Sequence, residues 1–100
     1  MRLEYIATFY SDIADVASYL EGYPRKAKCI FESMDNKLSK LVDNPKLYPI
    51  YEDFPDFRRI VIEDYLVFYT INEQADIIEV HRLICGKMDV PYQLSGAVND

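Results

Sequence analysis

The stretch that decides the fold is FRRIVIEDYLVFYTINEQADIIEVHRLICGKMD, residues 57–89. It contains three segments rich in β-branched and aromatic side chains, residues 57–62, 65–71 and 77–84, with a turn at Glu63–Asp64 and a second polar turn after the middle segment. Such runs are typical of β-strands, and connections this short predict an antiparallel meander. The middle segment is apolar on both faces, which indicates a central strand.

The chain before this meander predicts one strand and two helices. Leu3 to Thr8 alternates as a strand does, and Ser11 is a candidate N-cap for a helix that ends at Gly22. Pro24 can begin a second helix that ends before Asn44–Pro45. The short link predicts an αα-hairpin. The order is β-α-α-β-β-β, an α+β fold with the hairpin packed on one face of a twisted sheet.

Length and composition indicate one small domain. The chain has 100 residues, of which 50% are hydrophobic, so it can bury a single core. We expect that core to span about residues 3–89, followed by a weakly patterned tail at 90–100. Residues 43–56 hold three prolines and predict an irregular segment that its aromatic side chains attach to the domain. The net charge of −6 argues against broad, nonspecific nucleic-acid binding.

The remaining composition predicts a cytoplasmic protein without a cofactor or metal. Cys29 and Cys85 form no disulfide framework and are expected to be reduced thiols. Glu4 lies where a signal peptide would be apolar, and no apolar run is long enough to span a membrane. The single histidine and two distant cysteines lack the spacing of metal ligands, and no glycine-rich phosphate loop occurs.

Arginines within the strands are the main candidates for a functional site. Arg58 and Arg59 are adjacent and therefore point to opposite faces of one strand. Arg82 is expected to share a face with Ile78, Val80 and Ile84. Its guanidinium either binds a phosphate or carboxylate of a partner, or forms an internal ion pair with an acid such as Glu63 or Asp89. The ion pair is favoured because acids outnumber bases, 17 to 11.

Two further residues could take part in chemistry. His81, on the face opposite Arg82 and beside Glu79, could act as a general base. A strand histidine next to a carboxylate more often has no catalytic role. Tyr92 follows the last strand near Lys87 and could stack on a base, transfer a proton or anchor the tail. Anchoring is the favoured interpretation.

Taken together, the element order and the segments FRRIVIEDYLVFYTI and EVHRLICGKMD resemble the RelE/ParE superfamily of bacterial type II toxin–antitoxin toxins. The resemblance extends from Leu3 to about Asp89. It rests on the arginine-led strand, the aromatic Tyr-Leu-Val-Phe-Tyr strand and the ending in a basic residue, any residue and Asp. It implies a small sheet with a helical hairpin on one side. It also implies a cognate antitoxin that wraps and neutralises the toxin in a plasmid-stabilising, or addiction, module.

The superfamily has two branches, which act on different targets. RelE-like members cut messenger RNA in the ribosomal A site, using basic residues of the open sheet face and often a tyrosine or histidine near the carboxyl end. ParE-like members poison DNA gyrase and lack that set. By position, Arg59 or Arg58 matches the arginine of the second strand and Arg82 that of the last strand. Lys87 matches a second basic residue and Asp89 the acid that follows it.

The departures from the RelE-like pattern favour the ParE-like branch slightly. Cys85 stands where many relatives have His or Tyr, and Met88–Asp89 is closer to ParE-like endings. Relatives are commonly basic, whereas this chain is acidic, and RNA cleavage benefits from cations that hold phosphate.

Three hypotheses about function follow, and a homodimer or a heterotetramer with the antitoxin is compatible with each. The first is a ParE-like inhibitor that binds a protein such as gyrase. The second is a RelE-like mRNA endoribonuclease, in which Arg59, Arg82 and Lys87 grip phosphate and His81 or Tyr92 moves protons. The third is a degenerate module that is not toxic and only binds its partner.

Overall fold

The computed structural model describes residues 1–87 and 90–98, with side chains described up to residue 94. One sheet contains four strands in the order β1-β4-β3-β2: β1 (Arg2–Tyr5), β2 (Arg58–Ile62), β3 (Tyr65–Asn72) and β4 (Ile77–Cys85). The last three form the predicted antiparallel meander with β3 as an inner strand, and β1 pairs in parallel with β4. The α+β fold predicted from the sequence is confirmed.

The helical hairpin packs on one face of this sheet. It consists of α1 (Ala7–Tyr19) and α2 (Pro24–Ser39), which is followed by a 3₁₀ turn at Lys40–Val42. The main core lies between hairpin and sheet, and its least exposed members include Phe9, Leu20, Ile30, Leu41, Ile60, Val67, Tyr69 and Val80. A second, smaller cluster covers part of the opposite face and contains Phe57, Phe68, Ile84, Val90 and Leu94.

The first strand is shorter, and the first helix starts earlier, than the sequence predicts. Ile6 ends the ladder by donating its N–H to the Val80 carbonyl at 3.0 Å, and its own carbonyl accepts from the Phe9 N–H at 2.9 Å. Ile6 is therefore the N-cap residue of α1, and Ser11 lies inside the helix. The early start buries Phe9, which is 1% exposed, and so adds an apolar side chain to the core face of α1.

The tail after the last strand also differs from the prediction, because it forms a helix, α3 (Val90–Val98). Val90 and Leu94 lie one helical turn apart and are buried against Phe68 and Ile84. These contacts with the sheet stabilise the helix, because a helix this short is marginal without tertiary packing.

The proline-containing segment before β2 is attached to the domain as predicted. Tyr48 packs against the main core, and Tyr51 and Phe54 pack against the second cluster. The segment also follows the outer edge of β2, where the Arg59 N–H donates to the Pro49 carbonyl at 3.0 Å.

An irregularity in β4 changes which residues share a face. Phe68 pairs with Arg82, but the next residue of β3, Tyr69, pairs with Val80, so His81 is the extra residue of a β-bulge. Residues directly opposite each other on neighbouring strands have their side chains on the same face of the sheet. Val80 therefore lies with Tyr69 on the helical face, and Arg82 lies with Phe68 on the other. The prediction that Arg82 shares a face with Ile78 and Val80 is wrong, although Arg82 does share a face with Ile84. The prediction that His81 lies on the face opposite Arg82 is also wrong, because His81 contacts Thr70 and Phe57 on the face of Phe68. Both errors follow from the bulge, which interrupts the regular alternation of side chains along β4.

Within residues 1–87 and 90–98, no helix has the length and apolar character needed to cross a membrane.

Candidate functional site

Arg82 is held by α1 on one side and by α3 on the other. Its Nε donates to Asp12 Oδ2 at 2.7 Å and its Nη2 to Asp12 Oδ1 at 3.2 Å, a two-point ion pair. Nη1 donates to the backbone carbonyl of Gln93 at 2.8 Å, and Nη2 also approaches Gln93 Oε1 at 3.4 Å. The side chains of Arg82 and Asp12 are only 15% and 14% exposed. All three guanidinium nitrogens are therefore already bound by the protein.

The acid that pairs with Arg82 was not identified from the sequence. Asp12, and not the predicted Glu63, is the acid that pairs with Arg82 among the described residues. Asp89, the other predicted partner, lies outside the described residues. Asp12 also accepts the Leu83 N–H at 2.9 Å, and Thr8 Oγ1 donates to the His81 carbonyl at 2.8 Å. Since β1 pairs only with the first half of β4, these side chains of α1 provide hydrogen-bond partners for backbone groups of β4 that lie beyond the end of β1.

Arg59, rather than Arg58, lies on the same sheet face as Arg82. Arg59 and Arg82 are both directly opposite Phe68, on its two sides. The Arg59 guanidinium carbon lies 5.8 Å from the centre of the Tyr51 ring, and its Nε is buried without a hydrogen-bond partner among the described residues. Arg58 points to the other face and donates to the Tyr48 carbonyl at 2.8 Å.

His81 is half-buried on the face that carries Arg59 and Arg82. Its Nε2 lies 2.9 Å from Thr70 Oγ1, and the Phe57 ring meets its imidazole edge-on at 5.2 Å. Burial lowers the pKa of His81 below its ordinary value, and the nearby Glu79 acts in the opposite direction. The imidazole is consequently neutral at neutral pH, the state that a general base requires.

Acidification is expected to destabilise the fold through His81. Well above the ordinary pKa of 6.5 the imidazole is neutral in both the folded and the unfolded chain. As the pH falls, the unfolded chain binds the proton first, because the pKa of His81 is lower in the folded chain. The free energy of unfolding should therefore decrease as the pH is lowered, until the pH is below the pKa of His81 in the folded chain. NMR titration of the single imidazole should give a midpoint below 6.5. An NMR titration midpoint at or above the ordinary value would contradict the prediction. In urea unfolding across this pH range, His81→Gln should remove the part of the pH dependence of stability that comes from His81.

Lys87 lies near Arg82, and Tyr92 precedes Gln93, whose carbonyl binds Arg82; unlike Arg82, both are exposed. Lys87 follows β4, is exposed and lines a cleft of about 490 Å³ together with Arg82. Two of the cations that line this cleft are paired with acids, Arg82 with Asp12 and Lys26 with Asp64 at 3.4 Å. Tyr92 lies on α3 with 73% of its surface exposed, whereas Val90 and Leu94 are the buried anchors of that helix.

A second concavity, here called the helical groove, lies between α1 and α2 beside β1. It has a volume of about 450 Å³ and is mostly apolar, with the acidic Glu32 and Asp35 among its lining residues. Tyr5 contributes from β1, and its ring stacks on Phe9 at 5.5 Å and approaches Tyr10 at 6.0 Å. The largely apolar lining is typical of a surface that binds another protein segment rather than a polar substrate.

The described residues contain no group of three His, Cys, Asp or Glu side chains that could hold a metal ion.

The structure brings Arg59, His81 and Arg82 onto one face of the sheet, while Phe68 separates the two arginines. Asp12 and Gln93, which engage Arg82, carried no recognisable signal in the sequence. Their pairing with Arg82 spans 70 and 11 residues, and only an arginine inside an apolar strand indicated that some partner must exist.

Comparison with known proteins identifies the family. The family model described as the ParE toxin of the type II toxin–antitoxin system parDE matches residues 3–90. No curated protein matches significantly. Among solved structures, the crystal structure of the isolated E. coli RelE toxin is similar in fold, with a TM-score of 0.63 and 13% sequence identity over 98% of this chain and 97% of that chain. The family match covers most of the chain, and this protein therefore belongs to the ParE toxin family of type II toxin–antitoxin systems.

Proposed function

We propose that this toxin acts by binding DNA gyrase in the cytoplasm, and that its cognate antitoxin neutralises it in a plasmid-stabilising module. The observation that carries the proposal is the engagement of Arg82. The arginine that would grip RNA phosphate in a nuclease is bound at Nε, Nη1 and Nη2 by Asp12 and Gln93. The inhibitory mechanism would then be occupation of a protein surface rather than phosphoryl transfer.

The energetics of the ion pair support this proposal. A phosphate could reach Arg82 only by displacing the Asp12 carboxylate, which would leave a largely buried acid without its cation. The net charge of −6 adds a general repulsion between the protein and RNA. Two exposed tyrosines at the hairpin turn, Tyr19 and Tyr23, are 74% and 61% exposed, and aromatic side chains are enriched in protein interfaces.

A RelE-like endoribonuclease is the second candidate, and Arg59 is the observation that favours it. Its Nε is unpartnered among the described residues, and it shares a sheet face with the neutral His81. In this alternative Arg59 and Lys87 would hold phosphate, and His81 or Tyr92 would move protons. The third candidate is a chain that binds its antitoxin but has lost toxicity.

Pulse-labelling of new DNA and new protein after induction in bacteria separates the three candidates. Gyrase inhibition predicts that DNA synthesis fails first while translation initially continues, and that purified toxin lowers the supercoiling activity of gyrase. Arg59→Ala and His81→Gln should both retain toxicity, since neither residue is required for a non-nuclease mechanism.

Other outcomes would reject gyrase as the target. An immediate halt of translation with DNA synthesis continuing, abolished by Arg59→Ala, would support the endoribonuclease. Normal growth with both syntheses unaffected would support the binding module.

A further inference from the structure

Three hydrogen-bond donors converge on the carboxylate of Asp12. Arg82 Nε and the Leu83 N–H donate to its Oδ2 at 2.7 and 2.9 Å, and Arg82 Nη2 donates to its Oδ1 at 3.2 Å. Nε and Nη2 form one edge of the planar guanidinium, and such an edge binds a carboxylate or a phosphate in the same two-point geometry. Asp12 therefore occupies the position that two oxygens of a phosphate group would take.

The position of these donors does not depend on Asp12. Arg82 Nη1 donates to the Gln93 carbonyl at 2.8 Å, and Nη2 lies 3.4 Å from Gln93 Oε1, so α3 holds the guanidinium from the other side. The third donor belongs to the backbone of β4, where Leu83 pairs with Val67 of the neighbouring strand. A smaller side chain in place of Asp12 therefore leaves all three donors in position.

The donors lie at the wall of the cleft of about 490 Å³ that Asp12 itself lines. This volume is much larger than a phosphate group. Among the described residues, the other charged side chains that line the cleft are Asp15, Lys26, Asp64, Arg82 and Lys87. With Asp12 present the acids of the lining balance its cations, and without Asp12 the cations are in excess, which favours an anion.

We infer that Asp12 is the specificity-determining residue of this cleft. Its carboxylate acts as an internal anion that keeps phosphate-bearing ligands off Arg82, and a smaller neutral side chain at this position makes the cleft a phosphate site. In the wild type, an entering phosphate must displace a carboxylate that is only 14% exposed. Without that carboxylate, Arg82 is a largely buried charge that gains a partner when phosphate binds. The inference concerns anion binding alone and does not depend on gyrase being the target.

Urea unfolding at increasing inorganic phosphate, with the ionic strength held constant by sodium chloride, tests this inference on the full chain. A ligand that binds only the folded chain lowers the unfolding equilibrium constant as its concentration rises above the dissociation constant. Phosphate also stabilises folded proteins in general, so every variant is compared with the wild type. In Asp12→Ala the constant should fall at least about tenfold more than in the wild type across the series. Asp12→Ser, whose hydroxyl can accept the Leu83 N–H, provides the same test if Asp12→Ala does not fold in chloride.

Two controls separate a built site from a general effect of charge. Asp15→Ala removes an exposed acid from the lining of the same cleft but leaves the Arg82–Asp12 pair intact, so its response to phosphate should equal that of the wild type. Asp12→Ala/Arg82→Met removes the guanidinium together with the carboxylate and should also respond like the wild type.

Four results would overturn the inference. A wild-type chain stabilised as strongly as Asp12→Ala would show that Asp12 does not exclude the anion. Folded Asp12 variants that respond like the wild type would show that the three donors do not form a site. An equally strong response in Asp15→Ala would assign the effect to net charge. Failure of both Asp12 variants to fold even in phosphate would show that phosphate cannot replace the carboxylate beside Arg82.

Discussion

Replacement of Arg82 with alanine is expected to lower the free energy of unfolding by about 3–5 kcal/mol. The change leaves the Asp12 carboxylate, 14% exposed, without its cation, and it removes the hydrogen bond that ties β4 to the Gln93 carbonyl of α3. Leaving one member of a buried pair uncompensated costs more than the pair itself contributes, because the remaining charge stays desolvated. Urea unfolding followed by circular dichroism measures the loss.

Two variants make the Arg82 result interpretable. Lys87→Ala removes an exposed cation from the same cleft and should change stability by no more than about 0.5 kcal/mol. Asp12→Leu/Arg82→Met removes both charges and should recover part of the loss, although the Leu83 N–H then lacks its acceptor. If Arg82→Ala were as stable as the wild type, the ion pair would have no structural role. If it were stable and also non-toxic, the nuclease hypothesis would gain support.

Phe68→Ala is expected to lower the free energy of unfolding by a similar amount, about 3–5 kcal/mol. Phe68 is fully buried in the second cluster, where the Tyr51 ring meets it edge-on at 5.1 Å and the Phe57 ring at 6.4 Å. Leu94 of α3 belongs to the same cluster. Truncation therefore opens a cavity between the sheet, α3 and the segment before β2.

The effect of Phe68→Ala should be largest in α3. Since α3 is short and its buried residues Val90 and Leu94 belong to the cluster of Phe68, hydrogen exchange of its backbone amides should accelerate more than that of the main core. Val61→Ala, at a position on β2 that is 51% exposed, is the matched control and should leave both stability and α3 exchange nearly unchanged. Uniform acceleration across all elements would show that the second cluster is not a separate unit.

Much of the fold could be predicted because its signals are local. The three strands of the meander, the turn at Glu63–Asp64 and the start of α2 at Pro24 all lie where the sequence predicts them. Each depends on short-range properties: β-branched and aromatic composition, a two-residue connection, or a proline that fits the first turn of a helix. The aromatic attachment of residues 43–56 was predictable for a similar reason.

The start of α1 was predictable in principle but was misassigned. Ser11 has the side chain of an N-cap, and that local signal outweighed the helical spacing of Phe9 with Ile13 and Val16. In the folded chain, burial of Phe9 in the core decides the boundary, and Ile6 caps the helix without any side-chain hydrogen bond. Tertiary burial thus overrides a local capping preference.

The candidate site depended most on tertiary structure. The sequence alone indicated that an arginine within an apolar strand needs a partner and that Arg58 and Arg59 face opposite ways. Only the folded chain selects Asp12 and Gln93 as the partners of Arg82, because helix packing brings together residues far apart in sequence.

The sequence by itself determined the order of the four strands and the first two helices, the meander and the resemblance to RelE/ParE toxins, because all three depend on local composition and spacing. The tertiary structure decided the parallel pairing of β1 with β4, the bulge at His81 and the docking of α3 on Phe68. It therefore also decided whether Arg82 is available to bind a phosphate. These features arise from long-range packing and backbone pairing, whose free energies depend on partners that no local pattern specifies.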